Sequence, residues 1–540
     1  PFENLGDPED EYFADGITDE ITSRLAVTGD LHVISRTSAN QYKGTQKGLP
    51  EIARELNVDY ILEGTIRWDH SGETSRVRIT PQLIQVVDDR HLWAQNYERT
   101  LTQIFAVQAD IATNIAEALN ITLLQRERQP TEDIEAYNAY LRGKYYMERP
   151  DYFESDYRMA VEMFERAASL DQGFALAHAW LARAHLALYH QGYDRTEGRR
   201  ALSRTSVDRA LELDPNLGEA HLSLGVYFYW GHRDYDRALA ELKIAGNLLP
   251  NNADVLTFIA AVYRRQGGFE EAADLFKRSF ELNPRSTQVA IEIMYTLHWM
   301  RRYEEAMDYC NECISLAPDQ MDAYELKSRI HINWHGDIQQ ARKALVEMSP
   351  SRTNDRQALA WYNQAWMERD FRAALDSIAT MQSDIDINQT DFIPVSLRMA
   401  LAFQQSGLDE QARRFFDSAL FILEREAQTR PEDYRIRQSL GLAYAGLGEV
   451  EDAVREAEYA AELFPMSKDA FFGSYVVIDL AIVYTMTGKY EEALDRLEYL
   501  LARPANISVS RLRVDPRWDP LRDHPRFQAL LEKYEKIHGT

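Results

Sequence analysis

Apolar positions along this chain follow two rhythms. From Ile134 onward they recur at helical spacing, with small and large residues returning in a fixed order. Eleven residues separate Ala272 from Pro284, Ala306 from Pro318 and Ala453 from Pro465, and Ala272 and Ala306 stand 34 apart. Self-similarity at that period predicts stacked helical hairpins, each burying its apolar face only against its neighbours. In the cleanest unit, Ala253 to Ser286, Ile259, Ala260 and Tyr263 mark a first helix and Gly267-Gly268-Phe269 a turn. Ala272, Phe276 and Ser279 mark the second helix. Small residues at 260 and 272 allow close approach, and large ones fill the gaps around them. Pro284 stops the second helix because it cannot continue the hydrogen-bond ladder.

Residues 1–124 read differently. Asp7 to Thr28 is predicted helical, with Phe13, Ile17, Ile21 and Leu25 on one face. Leu31–Ser35 is a short β-rich run, and Leu49 to Leu56 a second helix with Pro50 in its first turn. Tyr60 to Trp68 and Arg76 to Val87 alternate like strands around a turn at Asp69-His70-Ser71-Gly72, which predicts a hairpin. Pro81 removes a ladder donor from the second strand, so that strand is expected at an edge, bulged or split. Gln103 to Leu124 is a third helix. The expectation is an α+β N-terminal domain followed by an all-α superhelical solenoid.

Both parts carry a resemblance. The 34-residue unit resembles the tetratricopeptide repeat. About ten copies can be placed over 125–511, clear at 219–318 and 434–500 and weak at the sixth and seventh. Residues 512–540 read as a capping loop and amphipathic helix. In the first part, Tyr12-Phe13-Ala14-Asp15-Gly16-Ile17-Thr18-Asp19-Glu20-Ile21 is followed by Val33-Ile34-Ser35-Arg36-Thr37-Ser38 and Ala53-Arg54-Glu55-Leu56. Tyr60-Ile61-Leu62-Glu63-Gly64-Thr65-Ile66-Arg67 and His91-Leu92-Trp93-Ala94 complete the series. Together these blocks resemble the TolB amino-terminal-like domain that precedes tetratricopeptide repeats in many bacterial proteins. In that family a strand runs into the Pro-Phe-Glu-Asn-Leu segment. Here Pro1-Phe2-Glu3-Asn4-Leu5 opens the chain, so that strand is expected to be missing or truncated. The resemblance implies the carboxy-terminal, often extracytoplasmic, part of a regulator whose amino-terminal part is a DNA-binding domain, a nucleotide cyclase or a protein kinase. The start at Pro1 without methionine reads as a fragment.

Composition narrows the partner more than the fold. The net charge is −26, with 20 acidic and 10 basic residues in 1–124, and no Lys/Arg run rises out of that field. That argues against nucleic acid or anionic lipid as the main partner. Two cysteines, Cys310 and Cys313, cannot make a disulfide framework, and no uninterrupted apolar stretch of membrane-spanning length is present. No signal peptide is visible.

Catalytic chemistry finds little support. Cys310 and Cys313 form a C-x2-C pair with no second ligand pair, so packing is expected rather than metal or redox work. Asp15 and Asp19 share a helix face, but acidic residues early in a helix complement its dipole. Neither a phosphate-binding loop nor a metalloprotease motif occurs. No catalytic residue, metal or cofactor is expected.

The resemblance implies instead that the first helix of each repeat lines a groove. Carried over by position, the groove includes Thr257, Arg264, Arg265, Tyr295, His298, Trp299, Glu325 and Arg329. Arg264 and Arg265 beside Tyr295 and Trp299 would suit a peptide carboxylate or acidic side chain against an aromatic wall. The expected function is non-enzymatic binding of a protein or peptide partner. No nucleic acid contact is expected, and membrane contact only through an upstream segment. The alternative is the sensory half of a membrane-anchored regulator, cyclase or kinase. A periplasmic location is expected, with the cytoplasm as the alternative.

Overall fold

The computed structural model describes residues 1–26, 31–69, 76–100, 104–121, 130–147, 153–348 and 355–538. The expected turn at 70–72 and the boundary at 124/125 lie outside the described residues. The chain divides into two compact units, Pro1–Val262 with Asp274–Val289, and Tyr263–Ala273 with Ala290–Thr540.

The first unit opens with a small mixed sheet. Strand β1 (Phe2–Asn4) runs parallel to β2 (Tyr60–Asp69), and β2 pairs antiparallel with β3 (Arg76–Gln85). The far edge of β3 is shared by β4 (Arg90–Ala94) and β5 (Tyr97–Thr100). Pro81 sits where that shared edge breaks. Its carbonyl accepts the Gln95 N–H at 3.3 Å, so its missing donor faces the gap between β4 and β5. β3 itself stays whole. The amphipathic helix Glu11–Ala26 buries Phe13, Ile17, Ile21 and Leu25 together with β-strand residues Ile66, Val77 and Ile79.

One apolar core joins this sheet to the first helical hairpin. It includes Ile111 and Ile115 from helix Ile104–Ala118, Tyr137 and Leu141 from Ile134–Met147, and Phe164 from Glu154–Leu170. Gly16 permits the close contact between helices: a Cβ there would lie 2.6 Å from Leu141 Cδ2. The acidic face that carries Asp15 and Asp19 is matched by cations. Lys43 Nζ lies 2.9 Å from Asp15, Arg36 lies 3.8 Å from Asp15, and Lys144 pairs with Asp19.

Leu31–Ser35 is not a strand. Its backbone bonds go to the repeats instead: the Ser35 N–H donates to the Leu282 carbonyl at 2.8 Å, and Asn251 Nδ2 donates to the Leu31 carbonyl at 3.2 Å. With those groups taken, no neighbouring strand is needed. The short helix Arg36–Asn40, unanticipated from the sequence, continues this contact. Ser35 and Ser38 hydroxyls both donate to Asn283 Oδ1, at 2.6 and 2.5 Å, and the Arg285 N–H donates to Ser38 Oγ.

The repeats are helical hairpins. Ala253–Arg265 with Phe269–Leu282, Thr287–Trp299 with Tyr303–Leu316, and Tyr434–Leu447 with Val450–Leu463 are typical pairs. Ala260, Ala272, Ala306 and Ala453 are fully buried, as the small-residue positions require. The turns use left-handed backbone: Gly267, Gly336, Gly448 and Gly488 have φ between 69° and 92°. Arg233, Arg301 and Arg369 take the same conformation without glycine's freedom. Two short strands missed by periodicity, β6 (Ile385–Ile387) and β7 (Phe392–Pro394), pair before helix Val395–Gln405.

Within the second unit the chain returns on itself. The Ala470 N–H donates to the Arg265 carbonyl at 2.7 Å, and the Ala505 N–H to the Trp299 carbonyl at 3.1 Å. Arg301 donates to the carbonyls of Leu500, Arg503 and Ile507. Arg369 pairs bidentately with Asp519 at 2.6 and 2.7 Å.

Candidate functional site

The expected groove residues fall into three groups. Thr257 belongs to the first unit, where its hydroxyl shares a 2.8 Å hydrogen bond with Ser279. The other seven belong to the second unit.

Arg264, Arg265, His298 and Trp299 are not available to a partner in this structure. Their exposures are 2%, 7%, 1% and 0%. The segment 469–475 covers Arg264, Arg265 and Trp299. The Phe471 ring lies 4.4 Å from the Trp299 ring and 4.1 Å from the Arg264 guanidinium. The Arg265 guanidinium lies 3.7 Å from the Phe472 ring and 3.8 Å from Asp469. Trp299 Nε1 donates to Ser474 Oγ at 3.3 Å. An acidic side chain and aromatic rings do meet the arginines, but the chain supplies them itself. His298 Nε2 lies 3.0 Å from Asn506 Oδ1 and 2.9 Å from Asn333 Nδ2. Burial, and then Arg329, push this imidazole down to about 3, so it is neutral at ordinary pH.

Tyr295, Glu325 and Arg329 keep partial accessible surface and sit among other charged groups. The Tyr295 hydroxyl donates to Asp322 at 3.3 Å. Arg356 donates to both Glu325, at 2.9 Å, and Asp322, at 3.0 Å. Burial raises the Glu325 carboxyl against the pull of Arg356. Arg329 makes no hydrogen bond or ion pair among the described residues.

The returning segments bring further residues to this wall. Helix Val509–Val514 packs on helix Met321–His335, which carries Arg329. Its Arg511 reaches Asp515 only at 3.5 Å, whereas Arg517 binds that carboxylate at 2.9 and 3.1 Å. Burial and the like charges of Arg517 and Arg329 push Arg511 down to about 10. Tyr475 stands 5.7 Å from Trp299, and its hydroxyl accepts from Asn506 at 3.4 Å. One turn further on, Asp479 accepts from Gln438 at 2.8 Å. Burial, and then Asp391, push its carboxyl up to about 7. The repeat pattern marked Glu325 and Arg329. It could not mark Arg511 or Tyr475, which come near Arg329 only through contacts between distant parts of the chain.

Among the described residues no three His, Cys, Asp or Glu side chains form a metal cage, and no helix is long and apolar enough to cross a membrane. Cys310 and Cys313 are buried free thiols, with Cys310 Sγ 3.6 Å from Met294 Sδ.

Comparison with known proteins matches the tetratricopeptide repeat model to residues 295–320, the end of helix Thr287–Trp299, with Tyr295, His298 and Trp299, and the whole of helix Tyr303–Leu316. The match places one tetratricopeptide repeat at 295–320. A relative, "Putative adenylate cyclase 3" of Rhizobium meliloti (strain 1021), is 34% identical over 240 residues, covering 43% of this chain and 40% of that protein. "Anaphase-promoting complex subunit 3" of Schizosaccharomyces pombe is 23% identical over 177 residues, covering 33% of this chain and 25% of the other. The chain thus spans less than half the length of both relatives. Among solved structures, PilF of Pseudomonas aeruginosa is similar with 21% identity and a TM-score of 0.32, over 39% of this chain and 90% of that one.

Proposed function

We propose that this chain is a non-enzymatic interaction module that holds a segment of a protein or peptide partner against the inner helices of its repeats. The observation that carries this reading is the tetratricopeptide repeat together with the accessible polar wall around Tyr295, Glu325 and Arg329. Repeat arrays present extended surfaces built from successive first helices, and their function lies in the side chains displayed there. The strongly acidic composition favours a protein partner over nucleic acid.

The test is site-specific photo-crosslinking in cells of the source organism. A photo-reactive residue at Tyr295 is compared with one at Arg413, which is exposed on helix Asp409–Thr429. The reading expects one defined protein captured from position 295 and not from 413. Equal capture at both positions, or none at 295, overturns it.

A second reading is that this module is the regulatory part of a larger protein. It is supported by the 34% identity to a putative adenylate cyclase of which the chain spans 40%. The TolB-like blocks of 1–124 support it as well, and with them an extracytoplasmic location. The full reading frame tests it: an upstream output domain and membrane anchor are expected, and a complete gene without either overturns it.

A further inference from the structure

We propose that the second unit holds an alkylammonium group, taken up by the carboxylates of Asp479 and Asp391 and the side-chain carbonyl of Gln438. This goes beyond the interaction surface proposed above, since it uses other elements of the fold and names a cation.

Two carboxylates in this region lack a counter-ion. Asp479, on helix Gly473–Met486, accepts from Gln438 Nε2 at 2.8 Å. Asp391, in the turn between β6 and β7, accepts at Oδ2 from Asn388 Nδ2 at 2.9 Å and from Thr390 Oγ1 at 3.0 Å. Neither makes an ion pair among the described residues. The nearby cations are engaged elsewhere: Arg398 with Asp386 at 2.6 Å, Arg435 with Asp433 at 2.7 Å, and Arg517 with Asp515 at 2.9 Å. Burial, and then Asp391, hold the Asp479 carboxyl up at about 7, as befits an enclosed acid short of a cation.

A second observation does not depend on the acids. Gln438 is 5% exposed, and its amide is fixed against Asp479 through Nε2. Its Oε1, on the same amide, accepts no hydrogen bond among the described residues. Buried acceptors are ordinarily paired, so this one points to a missing donor. Tyr475 lies one turn before Asp479 on the same helix face, and Asp391 acts electrostatically on its phenol. Its ring can border a cation. Asp391, Tyr475 and Asp479 all retain accessible surface, so a small head group can reach them.

The acceptor set selects the class of ligand. An ammonium brings one charge and three N–H donors, which suits two carboxylates and an amide oxygen. A hard divalent metal wants about six oxygens or more, and among the described residues no three His, Cys, Asp or Glu side chains converge. Arg398 and Arg517 both act on Asp479 and repel a second positive charge, so one ammonium fits better than a polyamine.

The experiment is calorimetric titration of the full chain at pH 8 with N-acetyl-lysine methylamide and with n-butylamine, two sources of an alkylammonium. Tighter binding of the lysine derivative assigns the group to a protein side chain, and equal or tighter binding of butylamine assigns it to a free amine. Both results support the site. Acetylation of the lysine Nε removes the charge and should weaken binding at least tenfold. Asp479→Asn and Asp391→Asn should each weaken it at least tenfold, and Gln438→Met several-fold. Asp479→Asn removes an enclosed charge that lacks a cation, so its thermal midpoint at pH 8 should not fall. Between pH 8 and pH 6 the affinity should drop about tenfold, because Asp479 takes up a proton while the ammonium stays charged. The charges that act on Asp479 are those of Asp391, Arg517 and Arg398, and the pH dependence should vanish in Asp479→Asn. No binding of either amine at millimolar concentration overturns the proposal. So does equal binding of the acetylated derivative, displacement of the amine by equimolar calcium, or normal binding by Asp479→Asn. The crosslink from position 295 depends on none of these results, so the two readings fail separately.

Discussion

The Arg301 guanidinium donates to the Arg503 carbonyl at 2.8 Å, joining the turn between helices Thr287–Trp299 and Tyr303–Leu316 to the turn after helix Tyr490–Leu501. Arg301 has φ 61°, at a turn where other repeats place glycine. Left-handed backbone costs a non-glycine residue about 1 kcal/mol. The structure tolerates that because the same side chain also donates to the Leu500 and Ile507 carbonyls.

Two substitutions separate these opposing effects. Arg301→Ala should destabilise the second unit by about 3 kcal/mol, from lost hydrogen bonds to partly buried carbonyls. Arg301→Gly loses the same bonds but regains about 1 kcal/mol of backbone relief. Urea unfolding followed by tryptophan fluorescence should therefore rank wild type above Gly and Gly above Ala. Equal stability of Gly and Ala would remove the backbone argument.

Acid and base should act on two groups in opposite directions. His298 titrates near 6.5 when unfolded and at about 3 when folded, so its contribution is complete above pH 6.5 and is lost as pH falls. The slope below pH 6 approaches about 1.4 kcal/mol per unit. Asp479 is pushed up to about 7, so its contribution is complete below about pH 4 and is lost as pH rises toward 7. Between these limits the slopes oppose each other. Asp479→Asn should raise the thermal midpoint at pH 8 and steepen the decline between pH 6.5 and 4.5. Parallel pH profiles for wild type and variant would refute the assignment.

Gly16 should tolerate nothing larger unless its neighbour yields. A Cβ at this position meets Leu141 Cδ2 at 2.6 Å. Gly16→Ala should cost about 1–3 kcal/mol of stability in the first unit. Adding Leu141→Ala creates room, so the double variant should be less destabilised than the sum of the singles. Thermal unfolding of all four proteins measures this coupling, and strict additivity would show that the two side chains do not meet.

The buried thiols should be silent in the folded protein. Burial raises both thiol pKa values, that of Cys313 to about 12. The thiolate is the reactive form, so iodoacetamide at pH 8 should label neither cysteine within hours but both in urea. Rapid labelling of the native chain would contradict this burial.

What the sequence made legible was whatever repeats locally. Ala272, Ala306 and Ala453 announce tight helix contacts because only a small side chain fits where two helices cross. The face of Phe13, Ile17, Ile21 and Leu25 is equally plain from spacing. Leu31–Ser35 misled because its β-rich composition is satisfied by Asn251 and Leu282, more than two hundred residues away. Arg264, Arg265 and Trp299 looked like an open wall because nothing near them in sequence reveals Phe471 and Phe472.

The bonds from Arg301 to residues 500, 503 and 507 bear on how this chain can evolve. Open arrays gain and lose units freely, since each new hairpin needs only a neighbour. Here two ends of a fixed run of hairpins must meet, and a duplicated or deleted unit between Tyr303 and Leu501 would carry the acceptors out of reach. The number of units in this stretch is therefore fixed by closure, independently of what any single repeat displays.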